Sequence, residues 1–245
     1  MSTAAVRPQG VVRPANRTYE RVFFSGMAWL MLAVAVVGFW RTYYGAGMVR
    51  AHLPNALLHV HGALFTLWMV LLVVQTGLVA AHKVKVHRAL GLAGMGLAVA
   101  MVMVVMAVGV DWLRRGFAKG HDDRSFFIVL VTDALMFGGL IFFAYRLRRQ
   151  PDAHKRLVVL ATLAILDAAV IRIRIPLLHG HIGTDDLVIL GLALLVAAYD
   201  LFSLGRIHRA TLWGIACGIV VFGARGSIGE TAAWKHFADL VAGRG

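Results

Sequence analysis

The sequence predicts an all-α fold: a polytopic integral membrane helix bundle of seven transmembrane helices, N-terminus in and C-terminus out. Three observations carry this. Hydrophobic residues fill 60% of the 245 positions and charged residues only 15%, against about 45–50% and ~25% in soluble domains. The apolar residues gather in seven blocks, at 22–40, 55–80, 89–111, 126–146, 156–175, 186–203 and 211–225. A helix needs about 20 apolar residues to cross a bilayer, and uninterrupted runs of this length do not fit the alternation of a membrane barrel. The third observation is where the basic residues lie. The net charge of +13 comes from residues between the blocks rather than along one face, so it reads as membrane topology and not as a nucleic-acid surface.

The turns that share a side with the N-terminus carry fourteen of the 25 Lys and Arg residues. The positive-inside rule makes this side cytoplasmic, which points to a multi-pass protein of the bacterial cytoplasmic (inner) membrane. Residues 1–21 form a mostly polar cytoplasmic tail, 22–225 the membrane domain, and 226–245 a short extracytoplasmic tail.

The first block follows too long a polar segment, and lacks too clear a cleavage site, to be a removable signal peptide. Trp40, Tyr43 and Tyr44 close it as an outer aromatic belt. The second block carries His59, His61 and Gln75. The third contains no charge from Leu90 to Val110. The fourth carries Asp133, the fifth Asp167 and Arg172, and the sixth Asp200. The seventh is diluted by glycine and closes on Arg225; its Gly214 and Gly218 form G-x-x-x-G, suited to close helix approach within the chain or in a homodimer. Positions 230–242, with Trp234, Phe237, Leu240 and Val241, read either as a short interfacial helix or as a frayed tail. No proline breaks the spans in the manner of secondary carriers.

Two groups of polar residues carry the functional reading. Three cytoplasmic turns end in His followed by a basic residue: His87–Arg88, His154–Lys155 and His208–Arg209. They serve as headgroup anchors, or they bind an anionic headgroup, a quinone or a cofactor carboxylate. On the outer side, a rise of 1.5 Å per residue puts His61, Asp133 and Asp167 within roughly 9–13 Å of the surface and Arg172 about 6 Å deep. Ionisable groups inside a membrane face a partner or a cavity, so Asp133, Asp167 and Arg172 are expected to form a buried polar cluster, with Arg172 paired to one of the two carboxylates.

The strings H-R-A-L-G at 87–91, H-K-R-L-V-V-L-A-T at 154–162 and D-A-A-V-I-R at 167–172 resemble an uncharacterised bacterial family of small multi-spanning membrane proteins with His-Arg at helix starts. They resemble, more weakly, membrane proteins that assist cytochrome oxidase assembly. The likeness covers positions 55–175. It implies a bacterial inner-membrane protein near respiratory metal or haem chemistry.

Three functions fit these residues. In the first, haem b binds between histidine-bearing helices and the protein moves electrons or assists a respiratory complex. Haem takes one axial imidazole from each face. Outer ligands would be His61 with His179 or His181, and inner ligands would come from His87, His154 and His208. In the second, zinc or another transition metal sits on His59 or His61 with His179, His181 and Asp133 as a membrane hydrolase. His59 and His61 point about 200° apart on a helix and do not share one ion. In the third there is no cofactor, and the chain is a proton-coupled transporter using Asp133, Asp167 and Asp200, or a structural membrane protein. The expected partners are membrane lipids, with quinone or a respiratory complex under the first reading. A single cysteine, Cys217, excludes an internal disulfide framework. The last block has no lysine for a retinal Schiff base.

Overall fold

The computed structural model describes residues 17–116, 122–173 and 184–244. Among them all regular structure is helical. In chain order the helices are α1 (Arg17–Phe39), α2 (Ala56–Ala80), α3 (Val84–Arg115), α4 (Asp123–Arg146), α5 (Pro151–Leu163), α6 (Asp167–Val170), α7 (Thr184–Leu204), α8 (Arg209–Gly229) and α9 (Ala232–Ala242). A π turn at Trp40–Tyr44 extends α1, and a 3-10 turn covers Met48–Arg50.

Six of these helices are long and apolar enough to cross a membrane: α1 with its π turn, α2, α3, α4, α7 and α8. Even the 21-residue α8 measures about 30 Å, the thickness of a hydrocarbon core. The local signals that start these helices are legible in the sequence. Asn55 caps α2, accepting a hydrogen bond from the Leu58 amide at 3.0 Å and donating to Asp111 on α3 at 2.9 Å. Asp122 caps α4, and Pro151 occupies the first turn of α5, where its missing N–H costs nothing.

The fifth block departs from the expected single span. α5 has 13 residues, about 20 Å, and the chain then turns before the four-residue α6. No proline or glycine causes the break. Leu166 donates to Leu163 and Ala169 to Leu166, three residues back instead of four, while the Asp167 carboxylate takes the Ala168 amide at 2.6 Å. A carboxylate that bonds its own backbone competes with the helical ladder. Interrupted backbone survives at membrane depth only inside protein, and here Leu163, Ala164, Leu166, Ala169 and Val170 are all buried. Gly38 of α1 makes the approach possible: a Cβ there would lie 2.3 Å from the Ala169 carbonyl oxygen.

α5 is the axis of the molecule. Its buried face, with Leu157, Val159, Leu160 and Leu163, meets Phe24, Met27 and Met31 of α1, Trp68 of α2, Met101 of α3 and Phe137 of α4 in one core. The side chains that point outward are also apolar, among them Leu67, Val70 and Val74 of α2 and Leu212, Trp213 and Val220 of α8. In water such a surface would drive aggregation; in a bilayer it is the lipid-facing coat.

The start of α1 lies with the α2–α3 and α4–α5 turns, through Arg21–His82 at 2.9 Å and Lys155–Glu20 at 2.8 Å. α9 lies at the opposite end and is a formed helix capped by Thr231. Its Trp234 Nε1 donates to the Arg124 carbonyl at 2.8 Å, and its Asp239 accepts from Arg124 at 3.3 Å. Phe237 and Leu240 stay exposed on it, as an interfacial helix requires. Tyr43 is buried beneath Gly62, while Tyr44 shares a hydrogen bond with Thr66 at 2.9 Å. Gly214 packs inside the chain, where a Cβ would meet Leu160 at 2.5 Å; Gly218 floors an apolar notch of ≈ 210 Å³ between α4, α5, α7 and α8.

Candidate functional site

A cavity of ≈ 820 Å³ opens at the α1-start end, between α1, α2, α3, α4 and α5. Its volume falls in the roughly 300–1,000 Å³ range of cofactor and small-molecule sites. The deep wall is apolar, with Phe24, Trp68, Leu72, Met95 and Ile141. Two of the sequence-selected histidines stand on the wall, His87 in the first turn of α3 and His154 in the first turn of α5. Their ring centroids are 6.4 Å apart and the ring planes cross at 83°.

The His154 Nδ1–H donates to the Ala144 carbonyl at 2.9 Å. That bond fixes the tautomer and leaves the Nε2 lone pair available. The His87 Nδ1 and the Gln75 Oε1 are enclosed without a hydrogen-bond partner among the described residues. The His87 ring also lies against the Gln75 backbone, which helps to hold it in place.

Cations crowd the rim: Arg21, Arg88, Arg148, Arg149 and Lys155, against one acid, Glu20. Lys155 is held by Glu20 and by Asp152 at 2.5 Å. Arg21 donates to His82, and Arg148 donates to the Tyr145 carbonyl at 3.1 Å while lying over the Tyr145 ring.

The outer polar layer is assembled differently from the expected pairing. Asp133 and Asp167 do meet, on Arg225 of α8. Arg225 Nη1 lies 3.2 Å from Asp133 and 3.5 Å from Asp167, and Nη2 lies 2.7 Å from Asp186 of α7. Arg172 turns away to the Phe39 ring, 4.6 Å from its centroid, and donates to the Ala168 carbonyl. The reason is depth. α8 runs to Gly229, so Arg225 sits a full turn inside the end expected for it. His61 stacks at 4.2 Å on Phe65, and its Nδ1 is enclosed without a partner among the described residues. His59 is half-buried on the same helix. His179 and His181 lie outside the described residues. Among the described residues no three His, Cys, Asp or Glu side chains are disposed to hold a metal ion.

His208 is not on the cavity wall. It caps α8, its Nδ1 accepting from the Ala210 amide at 3.1 Å, while its own amide donates to Asp200 at 3.0 Å. Burial, and then the Arg156 charge, hold its imidazole below the usual histidine range. Capping needs the unprotonated Nδ1, so the neutral form belongs to the folded state. A depressed folded pKa contributes stability above the unfolded value of about 6.5, and loses it as pH falls through the folded value. Acidification below about pH 6.5 is therefore expected to lower the unfolding midpoint. His208→Asn, which keeps a capping oxygen but does not titrate, should flatten that slope in detergent unfolding at stepped pH. An unchanged slope would assign the loss to other groups.

No protein-family model matches this chain, and no curated protein or solved structure resembles it at a significant level. The geometry is thus the ground for assigning function.

Two site features escape sequence reasoning. Arg225 reads as a block terminus and Asp186 as a loop acid, yet together they complete the outer cluster. The signal available was an arginine between Gly223 and Gly226 in an otherwise apolar run. The second is Asp200 with Arg156, a pair 44 residues apart in sequence: Arg156 Nε donates to Asp200 at 2.7 Å, and Thr211 donates to the other carboxylate oxygen at 2.5 Å.

Proposed function

We propose that this chain is a bacterial inner-membrane haem b protein that carries electrons or assists a respiratory complex, with His87 and His154 as the axial ligands. One observation carries the reading. Two imidazoles that held one metal ion between them would stand with their ring centres roughly 6 Å apart, since a metal–nitrogen bond is about 2 Å. The His87–His154 separation of 6.4 Å matches, on the wall of a cavity of ≈ 820 Å³. The haem, when bound, would supply one-electron chemistry. The protein's own part is to hold it. The Ala144 carbonyl orients His154, Trp68 and Ile141 exclude water, and the cationic rim offsets negative charge. In this reading the α5–α6 segment is a fifth crossing, making seven. The Lys/Arg-rich end with the α1 start is cytoplasmic, and α9 lies on the outer surface. The weaker resemblance of residues 87–91, 154–162 and 167–172 to membrane proteins that assist cytochrome oxidase assembly is in keeping with it.

The test is the visible spectrum of the full chain, purified in mild detergent from haem-replete cells. The expected result is a Soret band that shifts on dithionite reduction, with stoichiometric iron. A colourless protein would overturn the reading.

A second reading has its own observation. The break between α5 and α6 places Asp167 beside Arg225 and Asp133 inside the bundle, as discontinuous helices place ion sites in carriers. A colourless protein that moves protons into liposomes, and stops on Asp167→Asn, would favour transport.

A further inference from the structure

We infer that Arg88 and Arg149 are a carboxylate clamp. On this inference the cavity takes an amphiphile with two acidic groups, acid edge toward the rim, rather than an uncharged quinone. The inference rests on the cofactor reading and specifies its ligand.

Three of the five rim cations are already engaged: Lys155 by Glu20 and Asp152, Arg21 by His82, and Arg148 by the Tyr145 carbonyl. The two that make no hydrogen bond or ion pair among the described residues are Arg88 and Arg149. Both line the cavity, both are exposed, and they stand on different walls. Arg88 follows His87 directly on α3. Arg149 is in the α4–α5 turn, five residues before His154. Each histidine therefore has its own uncommitted guanidinium at the rim.

Arginine is suited to the task because its planar fork meets a carboxylate through two hydrogen bonds. The interior explains why the acid groups stay at the rim. Phe24, Trp68, Leu72, Met95 and Ile141 offer no counter-charge, and an unpaired carboxylate among them would be strongly disfavoured. An uncharged ligand would gain nothing from the two arginines. A macrocycle with two propionates uses the apolar depth, the histidines and the rim together.

The full chain, prepared from haem-depleted cells, should be titrated with haem b and with haem b dimethyl ester, following the Soret band. The wild type is expected to bind the ester roughly tenfold or more weakly, the scale of one lost charge-assisted hydrogen-bond set. Arg88→Gln with Arg149→Gln should bind haem and ester alike. Retained ester binding in that variant also shows that the fold is intact. Arg146→Gln with Arg206→Gln, which changes nearby cations that do not line the cavity, should keep the preference. Equal binding of haem and ester by the wild type would overturn the clamp and leave the axial histidines standing. So would a double variant that sheds co-purified anionic lipid but still prefers haem; the arginines would then serve headgroups. No Soret band with either compound would remove the cofactor reading and the clamp with it.

Discussion

Replacing Arg156 by methionine, or Asp200 by leucine, is expected to destabilise the bundle by about 3–5 kcal/mol, because each leaves the other charge buried alone. The pair is the most enclosed ion pair among the described residues, with Arg156 1% and Asp200 0% exposed. Arg156 reaches Asp200 through Nε at 2.7 Å and Nη2 at 2.5 Å, and its Nη1 donates to the Asp152 carbonyl at 2.7 Å. Asp200 also accepts from Thr211 and from the His208 amide. All three guanidinium nitrogens and both carboxylate oxygens are engaged, which makes a buried pair tolerable. The double replacement Arg156→Met with Asp200→Leu should recover most of the loss, since no uncompensated charge remains. It should not recover all of it: Thr211 and the His208 amide lose their acceptor, at about 1 kcal/mol or more each. Detergent unfolding midpoints for the four proteins give the coupling directly. Additive losses would show that the two residues act separately and that the clamp joining α5, α7 and α8 is not a unit.

The largest functional effect is expected from the histidine pair. His87→Ala and His154→Ala should each convert a six-coordinate haem spectrum to a five-coordinate one, or abolish haem retention, while His61→Ala and His208→Asn leave the spectrum unchanged. The reasoning is positional. His61 belongs to the outer layer against Phe65, and His208 spends its Nδ1 on the α8 cap. Among the described residues only His87 and His154 share one cavity wall at a separation suited to one metal. Loss of the Soret band in His61→Ala alone would move the haem to the outer side and overturn the assignment.

The helices were legible because their apolar runs are long and uninterrupted. The uncharged Leu90–Val110 stretch lies wholly within α3, and the doubtful seventh block proved to be the full-length α8. The break after Leu163 was not legible. A-T-L-A-I-L-D-A-A contains no proline or glycine, and what bends the chain is Asp167 reaching both its own backbone and Arg225. The outer cluster was half legible. Depth counting selects Asp133 and Asp167 but cannot rank Arg172 against Arg225, because the choice depends on how far α8 continues past a glycine-rich run. The inner site was legible as residue types, His87, His154 and His208. Separating the third from the first two requires knowing which way each turn faces.

The central position of α5 has a consequence for biosynthesis. Its segment is made carrying Arg156, and the chain behind it brings Asp167, before Asp200 and Arg225 exist. Asp200 is made 44 residues later than Arg156, and Arg225 58 residues later than Asp167. Until the last two long helices leave the ribosome, the charges at both ends of this segment lack their partners. Such charges weigh against stable partition into lipid. The packing of α4 and α5 is therefore expected to be completed only once the C-terminal third of the chain has been made. A chain that stops anywhere before Asp200 is expected to leave Arg156 without its carboxylate partner.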